Sequence, residues 1–147
     1  MGLTVLDAGV VIAVLDAGDV HHTVAAMALT EARDRGDEFV IPVSAYAECL
    51  VSPSRTGQAA IATVDRFLDG LPARVEPATR VIGAAAASLR GAHGPSLRLP
   101  DALVVATAIV LDADRIITTD ARWPALAVRV EVLRKDAQGR VRGPWSP

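Results

Sequence analysis

A chain of 147 residues, 51% hydrophobic and only 3% aromatic, suffices for one compact domain whose core is aliphatic. Its formal net charge of −2 excludes a nucleic-acid binder that works through bulk positive charge, so any contact with a polyanion has to be local. The single cysteine, Cys49, excludes an internal disulfide and suits a reducing compartment.

Taken in chain order, Leu3 to Leu6 is a short apolar run ending at Asp7, which predicts a buried strand. Ala8 to Leu15 follows as a first helix, and Asp16 to Asp19 as a turn. Val24, Met27, Ala28 and Ala32 mark one face of a helix from His21 to Arg35, ended by Gly36. Glu38 to Val43 predicts a second strand. Ser44 is placed to cap a helix that carries Tyr46, Glu48 and Leu50 and is stopped by Pro53. Ile61, Val64, Phe67 and Leu68 give an amphipathic helix up to Gly70. Val75 and Glu76 form a short strand, Thr79 to Arg90 an Ala-rich helix, and Gly91 to Pro95 a loop. Pro100 suits the first turn of a helix from Asp101 to Leu111, almost wholly apolar and therefore central. Arg115 to Thr118 and Val128 to Leu133 are the last strands.

Short strands alternating with helices, without repeat or linker, predict an α/β three-layer α/β/α sandwich with a mostly parallel central sheet. The domain is expected over residues 1–135, and residues 136–147 form a tail or a small hairpin. No Lys or Arg precedes the first strand, as a secretory signal would require. The apolar runs, of about a dozen residues, are too short for a bilayer. A soluble, cytoplasmic protein without membrane contact is expected.

Four acids stand out. Each alone has an ordinary explanation: Asp7 as a helix cap, Asp101 at a helix N-terminus, Asp120 in a turn, Glu48 on a solvated helix. Together they differ from scattered surface charge. Asp7 and Asp120 follow runs that read as buried, and ligands of such sheets bind beyond the carboxyl ends of strands. Asp101 opens the most apolar helix, and the neighbours of Glu48 are small or apolar. Carboxylates gathered at the edge of a core repel unless a cation neutralises them. Oxygen-only ligation suits Mg²⁺, or Mn²⁺, rather than zinc. A Gly-x-Ser-x-Gly elbow, a Walker loop and a Gly-x-Gly-x-x-Gly fingerprint are all missing.

The ordered pieces TVLDAGVVIAVLD, SAYAE, LPDALVVATA and IITTDARW make the chain resemble a PIN-domain ribonuclease, specifically the VapC-type toxin of type II toxin–antitoxin pairs. The likeness runs from the first strand to the strand around Val130. It implies a Mg²⁺-dependent endoribonuclease with Asp7, Glu48, Asp101 and Asp120 as catalytic and metal-binding acids. It also implies an RNA substrate, a small cognate antitoxin and a homodimer. A catalytically weak PIN-fold RNA-binding or protein-interaction module is the rival reading. Its motive is Gly9, where the family usually carries Ser or Thr.

Thr118 is placed to support Asp120, and Arg122 to contact phosphate. His21 and His22 are expected to be exposed at a helix start. His93 lies before the Asp101 helix, within reach of RNA. Cys49 adjoins Glu48 but has no histidine near it in sequence, and it reads as a small buried residue.

Overall fold

The structure, a computed structural model, describes residues 1–135, so the expected C-terminal tail or hairpin lies outside the described residues. The elements are β1 (Leu3–Leu6), α1 (Ala8–Leu15), α2 (His22–Asp34), β2 (Glu38–Pro42), α3 (Val43–Thr56) and α4 (Gln58–Gly70). They continue with β3 (Ala73–Glu76), α5 (Arg80–His93), a 3₁₀ turn (Gly94–Ser96), α6 (Leu99–Val110), β4 (Arg115–Thr118) and β5 (Val130–Val132). The sheet order is β3-β2-β1-β4-β5, and every pairing is parallel.

Burial explains the layering. Val5 and Leu6 in β1, Phe39, Val40 and Ile41 in β2, and Ile116 and Ile117 in β4 are all 0% exposed. Successive strand residues point to opposite faces, so helices must cover both sides. The three-layer α/β/α sandwich expected from the alternation is the architecture found. The apolar helix α6 is central as expected, with Ala102, Val105, Ala106 and Ala108 at 0% exposure.

Several boundaries move, each for a local reason. Ser44 does not cap α3: the helix starts at Val43, directly after Pro42 in extended geometry, and Ser44 lies inside its first turn. Pro53 does not stop α3 either. The helix runs to Thr56 and ends at Gly57, whose φ of 137° few other residues adopt. Pro53 forfeits one backbone bond in the largely exposed last turn, and the helix tolerates that loss so near its end. The expected loop from Gly91 to Pro95 is mostly ordered: α5 continues to His93, and the Arg90 guanidinium donates to the carbonyls of Gly94 and Leu97.

The entry ends of the strands are joined by a buried polar knot. Arg115 donates to Asp37 at 3.1 Å, to the Thr4 hydroxyl at 3.2 Å and to Glu131. The Thr4 hydroxyl donates in turn to Asp37 at 3.2 Å. This knot ties β1, β4 and β5 to the turn before β2, at the end of the sheet away from Asp7 and Asp120. No helix among the described residues is long and apolar enough to cross a membrane.

Candidate active site

Asp7 leaves β1 with its backbone N–H still donating to Ile117 of β4, at 3.0 Å. It is the N-cap of α1, and its Oδ1 accepts from the Ala8 N–H at 2.9 Å. Its Oδ2 accepts from the Thr118 hydroxyl at 2.7 Å. Thr118 is fully buried, and its Oγ1 also accepts from the Asp120 N–H at 3.1 Å. One hydroxyl therefore fixes Asp7 and the backbone that presents Asp120. The sequence reading linked Thr118 to Asp120 alone.

Asp120 is held by its own neighbour. Arg122 donates from its backbone N–H and its Nε to Oδ1, at 2.9 and 3.0 Å, and from Nη2 to Oδ2 at 2.9 Å. Asp101 stands in the first turn of α6, where the helix dipole favours an anion. The Arg98 guanidinium approaches it to 3.8 Å. Glu48, on α3, is exposed; the sequence reading had set it among small and apolar neighbours.

The charges feel one another across the cleft. Burial, then Glu48 and Asp120, raise the Asp7 carboxyl above the usual range, against the pull of Thr118 and Ala8. Burial and then Asp7 raise Asp101. Burial and then Asp101 raise Glu48. Asp120 alone is lowered, chiefly by Arg122. Asp7, at the carboxyl end of the sheet, thus feels the charges of Glu48 and Asp120 and is felt by Asp101.

Beside them lies a pocket of about 210 Å³, lined by Ser96, Arg98, Asp101, Asp120, Arg122 and Trp123 among others. The Trp123 Nε1 is buried without a hydrogen-bond partner. Sequence reading missed Arg98 and Trp123 as pocket residues. Arg98 was signalled by its place three residues before Asp101, which puts it at the N-cap of the helix that Asp101 opens.

The donors fit a hard divalent cation in kind: all four are carboxylates, and their repulsion calls for positive charge. Among the described residues, however, no three His, Cys, Asp or Glu side chains are already gathered as a metal cage. The two oxygens of Asp120 face Arg122, and those of Asp7 face Thr118 and Ala8.

The remaining candidates fall away from this site. His21 and His22 are half-buried, not exposed as expected, because His21 lies beside Asp19 at 3.6 Å and a ring nitrogen of His22 meets the Ala13 carbonyl at 2.9 Å. His93 ends α5 and does not line the pocket. Cys49 is buried, with its thiol pushed up to about 12 by burial, so it supplies no thiolate near neutral pH.

A parallel α/β/α sandwich with acids converging beyond its strand ends defines an acidic-cleft α/β domain. The chain belongs to the PIN domain family, whose model matches residues 4–129. Solved structures share the fold. A toxin–antitoxin complex from Klebsiella pneumoniae is 20% identical with a TM-score of 0.70, covering 88% of this chain and 96% of that one. VapBC2 from Rickettsia felis, bound to a DNA fragment from its promoter, is 14% identical with a TM-score of 0.68, covering 90% and 99%. VapC20 from Mycobacterium tuberculosis, a Sarcin–Ricin loop cleaving toxin, is 17% identical with a TM-score of 0.62, covering 77% and 86%. Among curated proteins none matches.

Proposed function

We propose that this chain is a Mg²⁺-dependent endoribonuclease, the VapC-type toxin of a toxin–antitoxin pair. The observation that carries the reading is the set of four carboxylates, fed by β1, α3, α6 and the end of β4, in a PIN domain. Asp7, Glu48, Asp101 and Asp120 would hold the cation, with Mn²⁺ able to replace Mg²⁺. When bound, the cation makes water a better nucleophile and offsets charge developing on the phosphate.

The protein's own groups do the rest. Thr118 and the Ala8 N–H aim Asp7 and favour its charged form against the burial that raises it. Arg98 and Arg122 flank the pocket as donors to the phosphates of the strand. Water's oxygen bonds to phosphorus, the bond to the leaving ribose oxygen breaks, and that oxygen takes up a proton.

The toxin–antitoxin neighbours support a small antitoxin as partner, its basic side chains matched to the acidic cleft. A homodimer in the cytoplasm completes the reading. Residues 1–135 are the nuclease domain and 136–147 an appended tail. A weak-chemistry PIN module remains the second reading, favoured by the engagement of Asp120 with Arg122. RNA cleavage with added Mg²⁺, stopped by EDTA, decides between them. RNA binding without cleavage at any Mg²⁺ or Mn²⁺ concentration selects the module.

A further inference from the structure

Asp120 is the acid of the set whose two oxygens are both hydrogen-bonded by a guanidinium. The Arg122 fork covers both of its oxygens and adds a backbone bond to one of them. Yet the guanidinium itself is largely in water, its side chain 79% exposed against 20% for Asp120. Such a fork is geometrically good and weakly held, because solvent screens it. A phosphodiester presents the same planar pair of oxygens to a guanidinium. The place for that phosphate exists: Arg122 lines the pocket together with Arg98, Ser96 and Trp123, whose buried Nε1 is still without a partner.

We propose that Arg122 is a partner-exchanging positioning residue. Without RNA it serves Asp120 as an internal counter-cation. An RNA phosphate entering the Arg98–Arg122 pocket draws the guanidinium away and frees Asp120 for the divalent cation. Substrate and metal therefore bind cooperatively, and the cation site becomes complete only under RNA. The inference rests on the nuclease reading above and adds an order of events to it. By linkage, the factor by which RNA raises metal affinity equals the factor by which metal raises RNA affinity.

The test is calorimetric titration of Mn²⁺ into the full chain, as wild type, Arg122→Gln and Arg98→Gln. Each is titrated with and without a phosphonate-linked oligoribonucleotide. That probe keeps the phosphate charge and is not cleaved, because methylene replaces the leaving ester oxygen at every linkage. In wild type the oligonucleotide should raise Mn²⁺ affinity at least about fivefold. Arg122→Gln should bind Mn²⁺ at least about fivefold more tightly than wild type without RNA, and gain little more when RNA is added. Arg98→Gln removes the same charge without freeing a fork, so it reads the purely coulombic part and should gain less. Equal gains in the two variants, or no gain in Arg122→Gln, overturn the exchange. If wild type nevertheless cleaves RNA with Mg²⁺, the nuclease reading stands without it. If no form binds Mn²⁺ in any arm, both fall.

Discussion

A Cβ placed on Gly9 would lie 2.5 Å from the Thr119 hydroxyl oxygen. Position 9 is in the first turn of α1 and Thr119 follows β4, so the two segments that flank Asp7 meet here with room for one side chain only. The space that a serine or threonine would take at 9 is filled by a hydroxyl from across the cleft. Gly9→Ser should therefore cost about 1 kcal/mol, because the half-buried Thr119 hydroxyl has to rotate aside, and it should not speed cleavage. Thr119→Ala should relieve it, giving a favourable coupling in a urea double-mutant cycle. A Gly9→Ser protein as stable as wild type and faster on RNA would refute the fit.

Thr118→Val keeps the shape of a fully buried side chain and deletes the hydroxyl shared by Asp7 and Asp120. Stability should drop by about 1–3 kcal/mol, because the Asp120 N–H loses its acceptor. Metal affinity should fall about 10- to 100-fold, the usual effect of removing a group that orients a ligand. Denaturation and Mn²⁺ titration measure the two losses separately.

The pH dependence follows from the direction of the Asp7 shift. Burial raises its folded pKa, so the folded state holds the proton more tightly than the unfolded chain does. The group's favourable contribution is complete below the unfolded value, about pH 4, and is lost as pH rises through the raised folded value. In metal-free buffer Asp7→Asn should thus melt above wild type at neutral pH, and the gap should close toward pH 4. Asp101→Asn should act in the same direction, since burial and Asp7 raise Asp101 too. Melting curves across pH in EDTA settle the sign. A variant that melts lower throughout would mark Asp7 as a structural cap.

Asp37→Ala tests the far end of the sheet. It strips the Thr4 hydroxyl and a largely buried Arg115 of an acceptor, and should cost about 2 kcal/mol. The rate per folded molecule should stay unchanged. A fall in specific activity beyond the fall in folded fraction would show coupling along the strands.

Much of the fold was legible because its signals are local and repeated. Buried strands read as unbroken apolar runs, α6 as an apolar helix with proline in its first turn, and Gly36 as a stop. Where Pro53 and Gly91 were given the force of breakers, helices α3 and α5 ran on, since both lie near helix ends where one lost bond or one flexible residue is tolerated. The four acids were selected from the apolar runs beside them and from the ordered motifs, and the structure ties two of them, Asp7 and Asp120, to one Thr118 hydroxyl. What stayed hidden depends on contacts between distant segments: the seat of Thr119 against Gly9, the double duty of Thr118, and the two arginines turned onto acids. No pattern along one strand or helix records which way a guanidinium points.

The position of β4 has a consequence for synthesis. This strand lies between β1 and β5, and the bond from Thr118 to Asp7 spans 111 residues of chain. A ribosome that has finished β1 through α6 has released Asp7, Glu48 and Asp101, but not the hydroxyl that aims the first of them, nor Asp120, nor the arginine and tryptophan of the pocket wall. A domain of this kind folds as a unit once its pairing strands are free of the ribosome. The nascent polypeptide therefore carries no finished cleft, and a fragment released before β4, from a broken message or an early stop, has three of the acids but not the pocket beside them.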